Sequence, residues 1–171
     1  MDCSERRDIE IPDCKEANPD DCHRTFHLYL PSIICDDGSG KRRGLQHTTS
    51  DTPVGNDEQL PDSISIESVG TLPLVFAIHC LGCTGESINT FIAHADNSNV
   101  VLVIPEGIQH SFNARNCCGY ALEKDIDDVG FLKYIQSTLS DEYSFIQSDF
   151  SYAVGWSNGG ESSVCSHTLS C

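Results

Sequence analysis

The residues with the clearest chemical content are Gly155-Trp156-Ser157-Asn158-Gly159-Gly160, a G-x-S-x-G arrangement directly behind the apolar run Phe150-Ser151-Tyr152-Ala153-Val154. A serine in this spacing sits on a sharp turn from strand to helix, which lifts its hydroxyl above the sheet. Gly155 and Gly159 lack the Cβ atoms that would collide as the chain doubles back, and Gly160 prolongs the small-residue stretch. The helix that follows aims free N–H groups at the reacting oxygen and stabilises the negative charge developing there. The chemistry is acyl transfer. Ser157 is the candidate nucleophile, and the backbone N–H of Asn158 is a candidate oxyanion donor. A second donor is expected from the loop behind an earlier inner strand, here His79-Cys80-Leu81-Gly82-Cys83-Thr84-Gly85. His79 lies upstream of the serine and reads as a structural histidine bonding loop backbone.

A base is harder to find. In such sites the chain order is Ser, then Asp or Glu, then His. Beyond Ser157 the sole acid is Glu161 and the sole histidine is His167, both on the helix expected to follow the serine. A helix rises about 1.5 Å per residue and carries these groups away from the serine's edge. A serine hydroxyl without a base is a poor nucleophile. The sequence therefore reads as the nucleophile half of a hydrolase. The triad acid, its histidine and the later strands of the sheet are expected outside it, as in a truncated chain.

The elements that must hold this turn are visible as hydrophobic patterns. Leu74-Val75-Phe76-Ala77-Ile78 and Val100-Val101-Leu102-Val103-Ile104 are continuous apolar runs, as in strands covered on both faces. Ile88, Phe91, Ile92 and Ala95 recur at helical spacing between Ser87 and Ala95. Asp127-Asp128 precedes Val129, Leu132, Ile135 and Leu139, an amphipathic helix with acids at the positive end of its dipole. Strand, helix, strand, helix, strand predicts an α/β fold with a mostly parallel sheet and flanking helices, its later strands missing. Thr25 to Leu30 alternates polar with apolar and stops at Pro31, a strand near an edge. Residues 1–24 read as an irregular, cysteine-containing lead-in and 25–171 as the partial domain. Within the domain a polar stretch over about 35–70 is far longer than the ordinary connection of about 4–6 residues and reads as an insertion.

Composition narrows the class. The 171 residues hold 26 acidic and 10 basic side chains, a net charge of −16, which opposes binding to nucleic acid. No apolar run approaches the roughly 20 residues of a membrane span. Ten cysteines are many for a reducing compartment and point to secretion, although Met1 to Asp8 has no apolar secretion-signal core. Cys3, Cys14, Cys22 and Cys35 are expected to staple the N-terminal part, with connectivity open. Cys80-x-x-Cys83 with Cys117-Cys118 could supply four thiolates to zinc, but adjacent ligands suit one tetrahedral ion poorly, so disulfides are preferred and no metal or other cofactor is expected.

From Leu72 to Cys171 the sequence resembles the secreted polyhydroxybutyrate depolymerase and feruloyl esterase family of α/β-hydrolases. The likeness rests on Leu72 to His79, on Val103-Ile104-Pro105-Glu106-Gly107, on Phe112 to Gly119 followed by Asp127 to Leu132, and on Gly155 to Gly160. Tyr29-Leu30-Pro31 is similar to the family's opening strand. The resemblance implies a secreted serine carboxylesterase, with polyesters or plant-wall feruloyl esters as substrates, and places the second oxyanion N–H at Leu81. Where the family has glycine this sequence has Cys80, and often Cys83; a cysteine held at positive φ there would be strained. Two other readings compete: a hydrolase-like binding protein without catalysis, and a thiolate metal or redox module built on the cysteines.

Overall fold

The apolar runs pair into one sheet. The computed structural model describes residues 3–12, 22–34 and 71–167. The strands are β1 (Ser4–Glu10), β2 (His23–Tyr29), β3 (Leu72–Ile78), β4 (Val101–Pro105) and β5 (Ile146–Gly155), in the spatial order β1-β2-β4-β3-β5. β3 pairs in parallel with both β4 and β5, whereas β2 is antiparallel to β4 and to β1. Four strands thus share one direction and β2 alone opposes them. A short 3₁₀ turn (Gly85–Ile88) and helix α1 (Thr90–Asn97) cross from β3 to β4. Helices α2 (Tyr120–Glu123) and α3 (Asp128–Glu142) cross from β4 to β5, and α4 (Asn158–His167) follows the last strand. The fold is α/β.

The sheet separates two apolar layers. Leu72, Leu74, Phe76 and Ile78 of β3 and Val101 and Val103 of β4 pack with Phe131, Leu132, Ile135 and Leu139 of α3. On the other face Ala77, Leu102 and Ile104 pack with Ile88 and Ala95. Each fully buried aliphatic or aromatic side chain contributes about 1.5–3 kcal/mol. Asp127 caps α3, its Oδ1 accepting from Gly130 N–H at 2.9 Å. On β5 the second face is uncovered. Phe150, Tyr152 and Val154 are exposed in alternation, and Trp156 just beyond them is 72% exposed. Among the described residues no strand pairs with the outer edge of β5.

One expectation needs correction. The lead-in over 1–24 is not irregular throughout, because Ser4 to Glu10 forms β1. β2 lies one strand in from that edge, near an edge as its pattern suggests. Ser-Glu-Arg-Arg-Asp-Ile-Glu is mostly charged and mostly exposed, so it carries little hydrophobic periodicity, and charge is how edge strands avoid pairing with other chains. The polar stretch over 35–70, Cys14 and Cys35 lie outside the described residues. Among the described residues no helix is long and apolar enough to cross a membrane.

β1 is tied to α3 by Arg7. Its Nη1 and Nη2 donate to the Glu142 carboxylate at 2.5 and 2.9 Å, and Nη2 also reaches Tyr143 Oη at 2.8 Å. The guanidinium holds the Glu142 carboxyl below the usual glutamate range. A depressed folded-state value means that the stabilisation is present above the unfolded value of about 4.3 and is lost as pH falls through the folded one. The pair is partly exposed and is worth about 1 kcal/mol or less. Glu142→Gln is therefore expected to lower the urea midpoint slightly at pH 7 and to match the wild type in acid below the folded value.

Candidate functional site

Parallel pairing of β3 with β5 puts Ile78 beside Gly155, so the loop behind β3 and the turn behind β5 leave the sheet side by side. Trp156 N–H donates to Ile78 O at 3.2 Å, which locks the turn to the neighbouring strand. Gly159 N–H then donates to Trp156 O and Glu161 N–H to Ser157 O, both at 3.1 Å, starting α4. Ser157 holds φ at 54° and is exposed. That left-handed conformation costs a side-chain-bearing residue about 1–2 kcal/mol. The glycines are sterically required: a Cβ on Gly155 would lie closer than 3.0 Å to Gly159 O, and one on Gly159 closer than 3.0 Å to Ile78 O and His79 O. Gly160 is less tight, a Cβ there lying 3.2 Å from Gly155 O.

Asn158 begins α4 with its side chain turned inward, 1% exposed. Its Oδ1 accepts from Phe112 N–H and its Nδ2 donates to Phe112 O, each at 2.9 Å, and Nδ2 reaches Cys117 O at 3.4 Å. No hydrogen bond among the described residues engages the Asn158 main-chain N–H, as expected in the first turn of a helix. The sequence pointed only to that N–H. The inward amide and its partner Phe112 were not anticipated; the one hint was an amide side chain where an apolar residue would have served.

The loop behind β3 is anchored by His79, which is fully buried. Its Nε2 accepts from Gly107 N–H at 3.0 Å and its Nδ1–H donates to Cys80 O at 2.9 Å. Its ring packs on Phe112 with centroids 4.8 Å apart. Burial pushes the imidazole below its usual pKa, so it is neutral at pH 7. With both ring nitrogens held by backbone, His79 is a structural group rather than a base. Gly82 takes the positive φ of the turn, at 74°, while Cys80 and Cys83 avoid it. The strain expected of cysteines in this loop is thereby absent. Gly82 N–H donates to His110 O at 2.8 Å. Leu81 is 43% exposed and leans on Gly119, where a Cβ would lie closer than 3.0 Å to Leu81 Cδ1.

Cys80 is bonded to Cys83 and Cys117 to Cys118, so each disulfide closes within its own loop. Cys3 and Cys22 are disulfide-bonded as well. The four thiolates that a zinc site would need are consumed by these bonds.

The structure brings Ser157, Asn158 and the Leu81 loop to the same end of adjacent strands. Among the described residues no hydrogen bond joins the Ser157 hydroxyl to an acid or a histidine. Glu161 is exposed on α4, and His167 lies at that helix's far end, about 14 Å along the axis at 1.5 Å per residue.

No family model matches the sequence, and no curated protein matches it. Among solved structures, the chain is similar to FphF of Staphylococcus aureus, a fluorophosphonate-binding serine hydrolase in a substrate-bound form. Identity is 13% and the TM-score 0.49, over 92% of this chain and 48% of that one. It is also similar to S-formylglutathione hydrolase (FrmB) of Staphylococcus aureus as the apoenzyme. There identity is 13% and the TM-score 0.46, over 91% of this chain and 49% of that one. The chain thus spans about half the length of each of these two hydrolases.

Proposed function

We propose that the chain carries the nucleophile half of a carboxylic ester hydrolase. The observation that carries the reading is Ser157, held at a φ of 54° with its side chain exposed on a strand-to-helix turn. Ser157 Oγ attacks the ester carbonyl as a histidine outside the described residues takes its proton. The Asn158 and Leu81 N–H groups receive the oxyanion. The alcohol leaves with that proton, and water then splits the acyl-serine to give the acid. The open edge of β5 and the row Phe150, Tyr152, Val154 and Trp156 favour further chain packing there to deliver the acid and the histidine. The disulfides favour an extracellular setting. The sequence resemblance favours polyesters or plant-wall feruloyl esters as substrates.

The test is covalent labelling by a fluorophosphonate, read by intact mass, beside turnover of a short p-nitrophenyl ester. One label on Ser157, formed slowly over long incubation because the base lies outside the described residues, with slow or no turnover by these residues alone, is expected. Ser157→Gly is expected to abolish the label and to raise the unfolding free energy by about 1 kcal/mol, because glycine adopts positive φ without strain. A folded, monodisperse chain that takes no label would favour a hydrolase-like binding protein instead. Rapid turnover would mean that a base is present in these residues after all.

A further inference from the structure

We propose that the Asn158 side chain is a positioning residue that holds the two oxyanion amides in register; this rests on the reading of Ser157 as nucleophile. Its amide treats Phe112 as a neighbouring strand would, accepting from N–H and donating to C=O at 2.9 Å each. Only a side chain with an acceptor and a donor in one plane can do both. The grip fixes Phe112, whose buried ring lies against the His79 imidazole. His79 in turn donates from Nδ1 to Cys80 O. That oxygen belongs to the same planar, trans peptide unit as the Leu81 N–H, so pinning the oxygen sets the direction of the N–H. One continuous path therefore runs from the residue bearing the first donor to the peptide bearing the second. It passes through buried groups with no solvent-exposed link: Asn158, Phe112 and His79 are each no more than 1% exposed.

The path explains why a polar amide is buried immediately after the nucleophile. It also predicts a kinetic rather than a binding defect when the amide is changed. Asn158→Asp keeps the shape but sets a carboxylate oxygen against Phe112 O, and Asn158→Ala removes both bonds.

The experiment uses the full chain and follows fluorophosphonate labelling of Ser157 against reagent concentration. Asn158→Asp is expected to lower the limiting rate about 100-fold, the scale of a misplaced oxyanion donor, with the half-saturating concentration unchanged. Near-ultraviolet circular dichroism of Trp156, the only tryptophan, should change with it. Urea midpoints establish that each variant is folded. Should neither variant fold, amide exchange in the wild type decides: Phe112 N–H must be protected if Asn158 Oδ1 holds it, and free exchange overturns the proposal. A folded variant labelled at the wild-type limiting rate overturns the positioning role alone. A folded wild type that takes no label overturns the nucleophile reading and the role together.

Discussion

Gly159→Ala is expected to lower the unfolding free energy by about 3 kcal/mol, the upper end for overpacking, and to slow labelling of Ser157 by about 100-fold or more. The reason is where the methyl would go. It would lie closer than 3.0 Å to the carbonyl oxygens of Ile78 and His79, both main-chain atoms at the end of β3. Neither can rotate away as a side chain would. Ile78 O also receives the Trp156 N–H, so pushing it aside loosens the bond that locks the turn to the sheet. Relief requires α4 to back away from β3, and Ser157 and Asn158 move with it. Gly82→Ala is the control. Gly82 has a φ of 74°, but a Cβ there would meet nothing within 4 Å, so its variant carries only left-handed strain of about 1–2 kcal/mol. Urea midpoints and labelling rates for the two variants separate steric from conformational cost. Equal effects in both would mean that α4 is not seated on β3 as described.

Much of this arrangement is legible in the amino-acid sequence. Strands β3 and β4 announce themselves because both of their faces are covered, which demands unbroken apolar runs such as Val101 to Ile104. The turn at Ser157 was legible because a steric requirement leaves glycines at fixed offsets. The role of His79 was legible from chain order: a histidine before the nucleophile is in the wrong place for the base. β1 was not legible, since Ser4 to Glu10 is held by main-chain pairing to β2 and its side chains say little about it. Nor was the grip of Asn158 on Phe112, whose partners stand 46 residues apart and meet only once the sheet has formed. An amide is equally at home on a helix surface, so its type alone does not reveal an inward partner. The same applies to the buried pair of Arg24 and Asp128, separated by 104 residues.

That pair carries the other large expected effect. Arg24→Met should destabilise the chain by about 3–5 kcal/mol, the cost of leaving one partner of a buried ion pair alone. Arg24 Nη2 donates to Asp128 Oδ1 at 2.6 Å, both side chains are almost fully buried, and the guanidinium lies 4.0 Å from the Phe131 ring centroid. Methionine fills much of the arginine stem's space but leaves the Asp128 carboxylate without its counter-charge. The double variant Arg24→Met with Asp128→Asn is expected to recover most of the loss. An amide needs no counter-ion, and its oxygen can still accept the Asn113 N–H that Asp128 Oδ2 holds at 2.6 Å. Recovery in the cycle distinguishes a stranded charge from lost packing, because packing around residue 24 is the same in both variants. The single variant should also slow labelling of Ser157. Asp128 holds the Asn113 main chain, and the adjacent Phe112 main chain holds the Asn158 amide, so slack in one is slack in the other. An Arg24→Met chain with a wild-type urea midpoint would mean that water or rearrangement already shields Asp128, and that the buried pair does not anchor this loop.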